Sequence, residues 1–340
     1  MHYSENPFMP RPDSVPNQLI HKHPKEFLEK VLISGKVDMT LPPDCTFEEI
    51  PLDACRKEII EFINRHHASG DWRTNMTDND IDYYITAGNV KMYGIRWKGM
   101  LIAIQSMVPF DVKCFDNTYK SIYTNYLTVH PKFRKTGLNN LLLANIFIEA
   151  VRQGYEFEFY SIHADLDCAR FMIHNVYNMS LSNAAYMSCV TRKPPSKPTE
   201  IKNRTIRDAT IEDLRKLNHK DHLDIYLTYT DDQLKAIQKH HLAFTNGDCV
   251  LYFFPSMKIY NNIVIKSVLL LDWVNMDISF FREAIEELRS RGHDMLVVTS
   301  NGGLKDVITT FDMDKNGDIK FYSANMLPKA PKGRINLSAH

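Results

Sequence analysis

The sequence predicts an α+β (mixed α/β) protein of two pseudo-symmetric halves, each a central mixed sheet flanked by helices. Three observations predict it. The chain has 340 residues, 44% of them hydrophobic, enough for two ordinary cores. Runs of β-branched and aromatic strands alternate with helical patterns. A proline-rich stretch near the midpoint, Arg192 to Asn203, has no apolar periodicity and is followed by a similar order of elements, which reads as an internal duplication.

Residues 1–39 read as an extended arm, because Pro7, Pro10, Pro12 and Pro16 remove amide donors and restrict the residues before them. The first half, 40–191, reads as a strand at Thr46 to Ile50, a helix at Ala54 to His67 and a helix near Asp80 to Ala87. Strands at Lys91 to Trp97, Met100 to Val108 and Lys120 to Val129 come next, with a turn at Arg96 to Gly99. A helix at Leu138 to Gln153, a strand at Phe157 to Ile162 and a helix at Cys168 to Asn178 complete it.

A linker at 192–204 leads to the second half, 205–340, where Thr210 is placed as an N-cap with Asp213 in capping-box position. A helix at Thr230 to His240, strands at Cys249 to Pro255 and Ile263 to Leu271, and a helix at Ile278 to Arg291 are expected next. Strands at Met295 to Thr299 and Ile319 to Asn325 close the chain.

The 41 basic residues balance 41 acidic ones, so no global field favours nucleic acid or an anionic membrane, and any anion site is local. Six scattered cysteines without a C-x-x-C spacing argue against a zinc site and a disulfide framework, and point to a reducing, cytoplasmic setting. No apolar run reaches the roughly 18 residues of a membrane span. The start lacks a signal-peptide core, and His2 is not the glycine that N-myristoylation requires. A monomer is expected.

The segment richest in chemistry is Asn125-Tyr-Leu-Thr-Val-His-Pro-Lys-Phe-Arg-Lys-Thr-Gly-Leu-Asn-Asn, a strand, a basic loop and a helix start. A helix N-terminus presents unpaired amides and the positive end of its dipole, so a glycine-containing loop feeding it can wrap a pyrophosphate, with Lys132, Arg134 and Lys135 adding charge. Coenzyme A fits that chemistry. An exposed basic turn capping a core helix is the alternative.

Arg134-x-x-Gly137-x-Asn139 resembles the R/Q-x-x-G-x-G/A signature of the GNAT acyltransferases, with Asn in place of the last small residue. Beyond that loop, the chain more closely resembles the N-myristoyltransferases, a family within that superfamily, as a divergent member. Asn125-Tyr-Leu-Thr-Val-His is similar to their N-F-L-C-V-H element, and Thr40 to Leu52 to their T-L-P-x-x-F-x-W strand. Tyr3 with Pro10 and Pro12, Asp78 to Ala87, and Gly292 to Asn325 resemble further family segments, so the likeness runs along nearly the whole chain.

The resemblance implies two GNAT-like halves, the first binding a coenzyme A thioester and the second mainly receiving a peptide. It implies transfer of myristate from myristoyl-CoA to the N-terminal glycine amine of client proteins by direct attack on the thioester, without a metal. The oxyanion donors fall on the backbone amides of Tyr126 and Leu127, and the base on the terminal carboxylate of His340. Acyl-CoA contacts fall on Tyr126, Leu127, Thr128, Val129, Arg134, Lys135, Thr136, Gly137, Leu138 and Asn139, and peptide contacts on Ser161 and His174. As isolated residues, Ser161 and His174 also read as structural.

The chain departs from the family in its arm, which lacks the Phe-Trp and Thr-Gln elements, and in a loop with Asp71 as its single carboxylate where the family is acidic. A non-catalytic acyl-CoA or peptide-binding relative, or a GNAT enzyme using another acyl chain or a lysine acceptor, are the alternatives. Asp312-Met-Asp-Lys-Asn-Gly-Asp-Ile opens like an EF-hand loop, but Ser323 replaces the bidentate Glu, so Asn316-Gly317 is expected to make a hairpin turn. The pairs His66-His67 and His240-His241 diverge on a helix and are expected on solvated faces rather than around a metal.

Overall fold

A computed structural model describes residues 8–11, 13–33, 40–162, 170–191, 193–195, 197–300, 303–329 and 335–337. The arm carries helix α1 (Pro24–Ile33), which the proline pattern had hidden. The first half runs β1 (Cys45–Ile50), α2 (Arg56–His66), a short hairpin of β2 (Ala68–Ser69) and β3 (Trp72–Thr74), and α3 (Asp78–Ala87). It continues through β4 (Lys91–Trp97), β5 (Met100–Cys114), β6 (Asn117–Val129), α4 (Leu138–Arg152), β7 (Phe157–Ile162) and β8 (Arg170–Ser180). The second half runs β9 (Arg207–Asp208), α5 (Ile211–Leu214), β10 (Ile225–Thr228), α6 (Asp231–His240), β11 (Leu242–Thr245), β12 (Val250–Tyr260) and β13 (Ile263–Val274). Last come α7 (Ile278–Ser290), β14 (Met295–Thr299), α8 (Lys305–Thr310), β15 (Asp314–Ala324) and β16 (Ile335–Asn336).

The two halves repeat one plan. An antiparallel meander β4-β5-β6 leads through α4 to β7, parallel to β6. The meander β11-β12-β13 leads through α7 to β14, parallel to β13. All described strands belong to one sheet whose main path is β1-β4-β5-β6-β7-β15-β8-β14-β13-β12-β11-β9. The joint is an exchange, since β15 of the second half pairs with β7 while β8 of the first pairs with β14. Capping boxes at Thr210 and Thr230 start α5 and α6 as their sequences demand.

Two expectations fail. The helix expected at Cys168 to Asn178 is, from Arg170 onward, strand β8, because β15 and β14 take up both of its edges; tertiary pairing overrides the helix-like spacing of Ile173, Val176 and Tyr177. Asn316-Gly317 makes no hairpin turn. Both residues lie within β15, at a bulge where the pairing with β8 jumps from Lys315 to Asp318. Gly317 there has φ 122°, a conformation glycine adopts without penalty.

The arm packs on the α4 side of the sheet. Phe8 and Met9 are buried with Phe147, Tyr160 and Tyr322, the Phe8 ring edge-on to Phe147 at 4.9 Å. The opposite face carries the largest core cluster, to which both halves contribute Tyr84, Tyr126, Tyr229 and Phe254.

Candidate active site

The site is built where β6 stops behaving as an ordinary strand. Ser106 faces Asn125 and Ile104 faces Thr128, so Tyr126 and Leu127 together oppose Gln105 and form a β-bulge. Tyr126 sits at φ 55°, which its side chain tolerates only because neighbours fix it. Its N–H donates to Asn125 Oδ1 (2.8 Å), its carbonyl accepts from Thr128 Oγ1 (2.8 Å), and Ser106 Oγ donates to the Asn125 carbonyl (3.1 Å). Beside the bulge the sheet opens: β6 and β7 pair only from Ser121–Phe157 to Thr124–Tyr160, although β6 continues to Val129 and β7 to Ile162.

Beyond Val129 the chain makes a single 3-10 turn, Pro131–Phe133, and reaches α4 through Arg134 to Gly137, all exposed. Lys135 (φ 64°) and Gly137 (φ 85°) are both left-handed, and Thr136 Oγ1 closes onto the Phe133 carbonyl at 2.6 Å. Gly137 caps α4 without a side-chain hydrogen bond, so the N-cap of this fifteen-residue helix offers its first amides no side-chain acceptor. Leu138 anchors the first turn in the core. An anion placed here meets backbone donors, the helix dipole and the charge of Lys135. Arg134 adds its charge while bracing the loop, donating from Nε to the Val129 carbonyl (3.1 Å) and from an Nη to the His66 carbonyl (2.9 Å).

Sequence reasoning placed His67 on a solvated face and away from the site. Its ring lies edge-on to Tyr126 at 5.7 Å and its Nδ1 meets Thr128 Oγ1 at 2.9 Å, so it buttresses the bulge. Burial lowers its pKa, a backbone contact with Leu127 partly opposes that, and Lys258 and Arg134 add to the lowering. His241 is buried too, bonded through Nδ1 to Tyr252 Oη at 2.8 Å, while His240 bonds Asn79 and Thr86. The expectation of solvated histidine faces is therefore corrected for His67 and His241. Each ring is drawn in by a partner on another element, which no helical periodicity discloses.

Ser161 and His174 share the sheet face opposite α4 with Phe321, which pairs with Ser161. Ser161 Oγ bonds Tyr123 Oη (2.8 Å), whose pKa burial pushes up to about 12. His174 packs edge-on against Phe321 at 5.4 Å, and its Nε2 meets no hydrogen-bond partner among the described residues. Desolvation brings its pKa down to about 4, so it is neutral at pH 7. Glu158, on the other face of β7, accepts from Thr124 Oγ1 (2.7 Å) and is pushed up to about 7 by burial.

His340 lies outside the described residues. The described chain reaches Leu337, fully buried, after β16 pairs with β10. Asn336 donates to Asp272 Oδ1 (3.0 Å), whose other oxygen holds the buried Lys220 (2.6 Å) and Tyr229 (2.9 Å). Among the described residues no cluster of three or more His, Cys, Asp or Glu is placed to hold a metal, and no helix is long and apolar enough to cross a membrane.

No family model matches the chain. A protein of Acanthamoeba polyphaga mimivirus, named provisionally as a glycylpeptide N-tetradecanoyltransferase, is 22% identical over 79% of this chain and 83% of its own length. One structure of Saccharomyces cerevisiae N-myristoyltransferase with bound myristoyl-CoA superposes with a TM-score of 0.77 at 12% identity, covering 95% of this chain and 92% of the yeast chain. A second, also with bound myristoyl-CoA, gives 0.74 at 14% identity over 84% and 80%. The chain has the fold of the N-myristoyltransferases.

Proposed function

We propose that this chain is a glycylpeptide N-tetradecanoyltransferase, moving myristate from myristoyl-CoA to the N-terminal glycine amine of protein substrates. The observation that carries the reading is the sheet opening at the Tyr126–Leu127 bulge, beside an uncapped helix start, in a chain that shares nearly its full length with the yeast fold. In this reading 40–191 binds the acyl-CoA and 205–340 receives the peptide, in a cytoplasmic setting. The α4 amides, Lys135 and Arg134 hold the pyrophosphate, and Thr128, Val129, Thr136 and Asn139 line its path. The thioester carbonyl lies against the bulge.

The neutral glycine amine attacks the thioester carbon, the amides of Leu127 and Tyr126 receive the oxyanion, and the C–S bond breaks to release coenzyme A as its thiolate. Tyr126 serves only if its N–H leaves Asn125 Oδ1, so Leu127 is the readier donor. Ser161 and His174 line the amine side, and the amine's proton goes to the carboxylate of His340. Incubation with radiolabelled myristoyl-CoA and Gly-initiated peptides is expected to label peptide. The bound Tyr126 amide favours one second reading, a non-catalytic acyl-CoA binder: acyl-CoA bound with no peptide labelled selects it and rejects the transferase.

A further inference from the structure

Lys258 is a half-buried amine whose charge nothing among the described residues neutralises; burial lowers its pKa and no partner opposes that. It stands on β12 opposite Thr74 of β3, and the Thr74 amide donates to the His67 carbonyl at 3.3 Å. The hairpin β2–β3 thus joins the edge of β12, placing Lys258 one residue pair from the histidine that buttresses the bulge. Strand alternation puts Lys258 on the same face as Phe254, which packs in one cluster with Tyr126. The amine therefore looks into the space between the halves, at the lip of the opened sheet.

The rest of that lip is also cationic. Between residues 64 and 74 the sequence sets two exposed arginines, Arg65 and Arg73, against a single carboxylate, Asp71, with Arg73, opposite Ile259, on the other face of the hairpin from Lys258. A partly desolvated ammonium without a counter-charge is costly, and a carboxylate delivered by a ligand repays the cost. We infer that Lys258, with the basic β2–β3 lip, forms a subsite for an acidic side chain of the acceptor peptide, within the first few residues after its N-terminal glycine. This rests on the transferase reading and adds the chemistry that selects its acceptors.

The test uses the full chain loaded with a non-hydrolysable thioether analogue of myristoyl-CoA, and fluorescent Gly-initiated hexapeptides carrying Glu or Lys at each of positions 3 to 6. By anisotropy at low salt, the best Glu peptide is expected to bind at least about tenfold more tightly than its Lys counterpart, with the gap closing as salt rises. K258M should abolish the preference, K258E invert it and K258R retain it, with affinity for the thioether analogue unchanged and melting temperatures confirming the fold. Equal affinities in the wild type, absence of peptide binding, a preference that survives K258M, or a loss of analogue affinity in its place overturns the inference. Charge-selective binding by a chain that labels no peptide from radiolabelled myristoyl-CoA sinks the transferase reading alone. Transfer without charge selection sinks the subsite alone.

Discussion

The third strand and following helix of each half are one motif put to two uses. In both, the strand carries a bulge beside β5 or β12, and in both the residue after an Asn or Asp donates its amide back to that side chain: Tyr126 to Asn125 (2.8 Å) and Trp273 to Asp272 (2.9 Å). The surroundings then diverge. The sheet opens beside both, since β13 pairs with β14 only as far as Leu269–Val297, but α4 starts at Gly137 with no side-chain cap, whereas Asp272 is consumed by Lys220, Tyr229 and Asn336, and α7 is capped by Asp277 bonding the Phe280 amide at 2.7 Å. At the start of α4 the N-cap, Gly137, has no side chain to accept an amide; at the start of α7 the chain's own Asp277 carboxylate does so.

If the second copy is structural, breaking it should be the most damaging change. Lys220→Met leaves the Asp272 carboxylate buried without its cation, and about 3–5 kcal/mol of stability should disappear in urea unfolding. Pairing it with Asp272→Asn should return most of that loss; failure to do so would mean that the ion pair is not the relevant unit. The seam between the copies offers the next largest effect. His174 stays neutral in the folded chain down to about pH 4, while the unfolded chain protonates near 6.5. The unfolded state therefore binds the extra proton in that window, and stability falls as pH drops from 6.5 to 4, by on the order of 3 kcal/mol. His174→Gln should flatten that limb, which denaturation midpoints at stepped pH will reveal.

The sequence exposed what is local and hid what is exchanged. The α4 loop was legible because Gly137, its basic neighbours and an apolar helix lie within a dozen residues, and Thr210 and Thr230 announced their helices through capping boxes. Strand β8 was misread because its partners, β14 and β15, lie more than a hundred residues away, and the same distance hid the pairing of β10 with β5. The bulge at Tyr126 leaves no residue signature, since its left-handed backbone is imposed by Asn125, Ser106 and Thr128 together. His67 and Lys258 belong to different halves and meet only through the β3–β12 pairing, so the lip of the site has no counterpart in any local motif.

The sharpest comparison exchanges the helix starts. Gly137→Val places a β-branched side chain at φ 85°, where glycine alone is unstrained, and reshapes the loop that presents the α4 amides; nothing among the described residues crowds a Cβ there, so the fold has room for it. Acyl-CoA affinity should fall by about tenfold or more, roughly 1.4 kcal/mol, in a titration with the thioether analogue. Asp277→Ala removes the cap of α7 and should cost about 1 kcal/mol of stability with acyl-CoA affinity unchanged. The two variants thus separate the roles: one start serves a ligand and the other serves the fold. An Asp277→Ala chain that loses acyl-CoA binding as Gly137→Val does would show that the second start is also in use, and the contrast between the halves would fail with it.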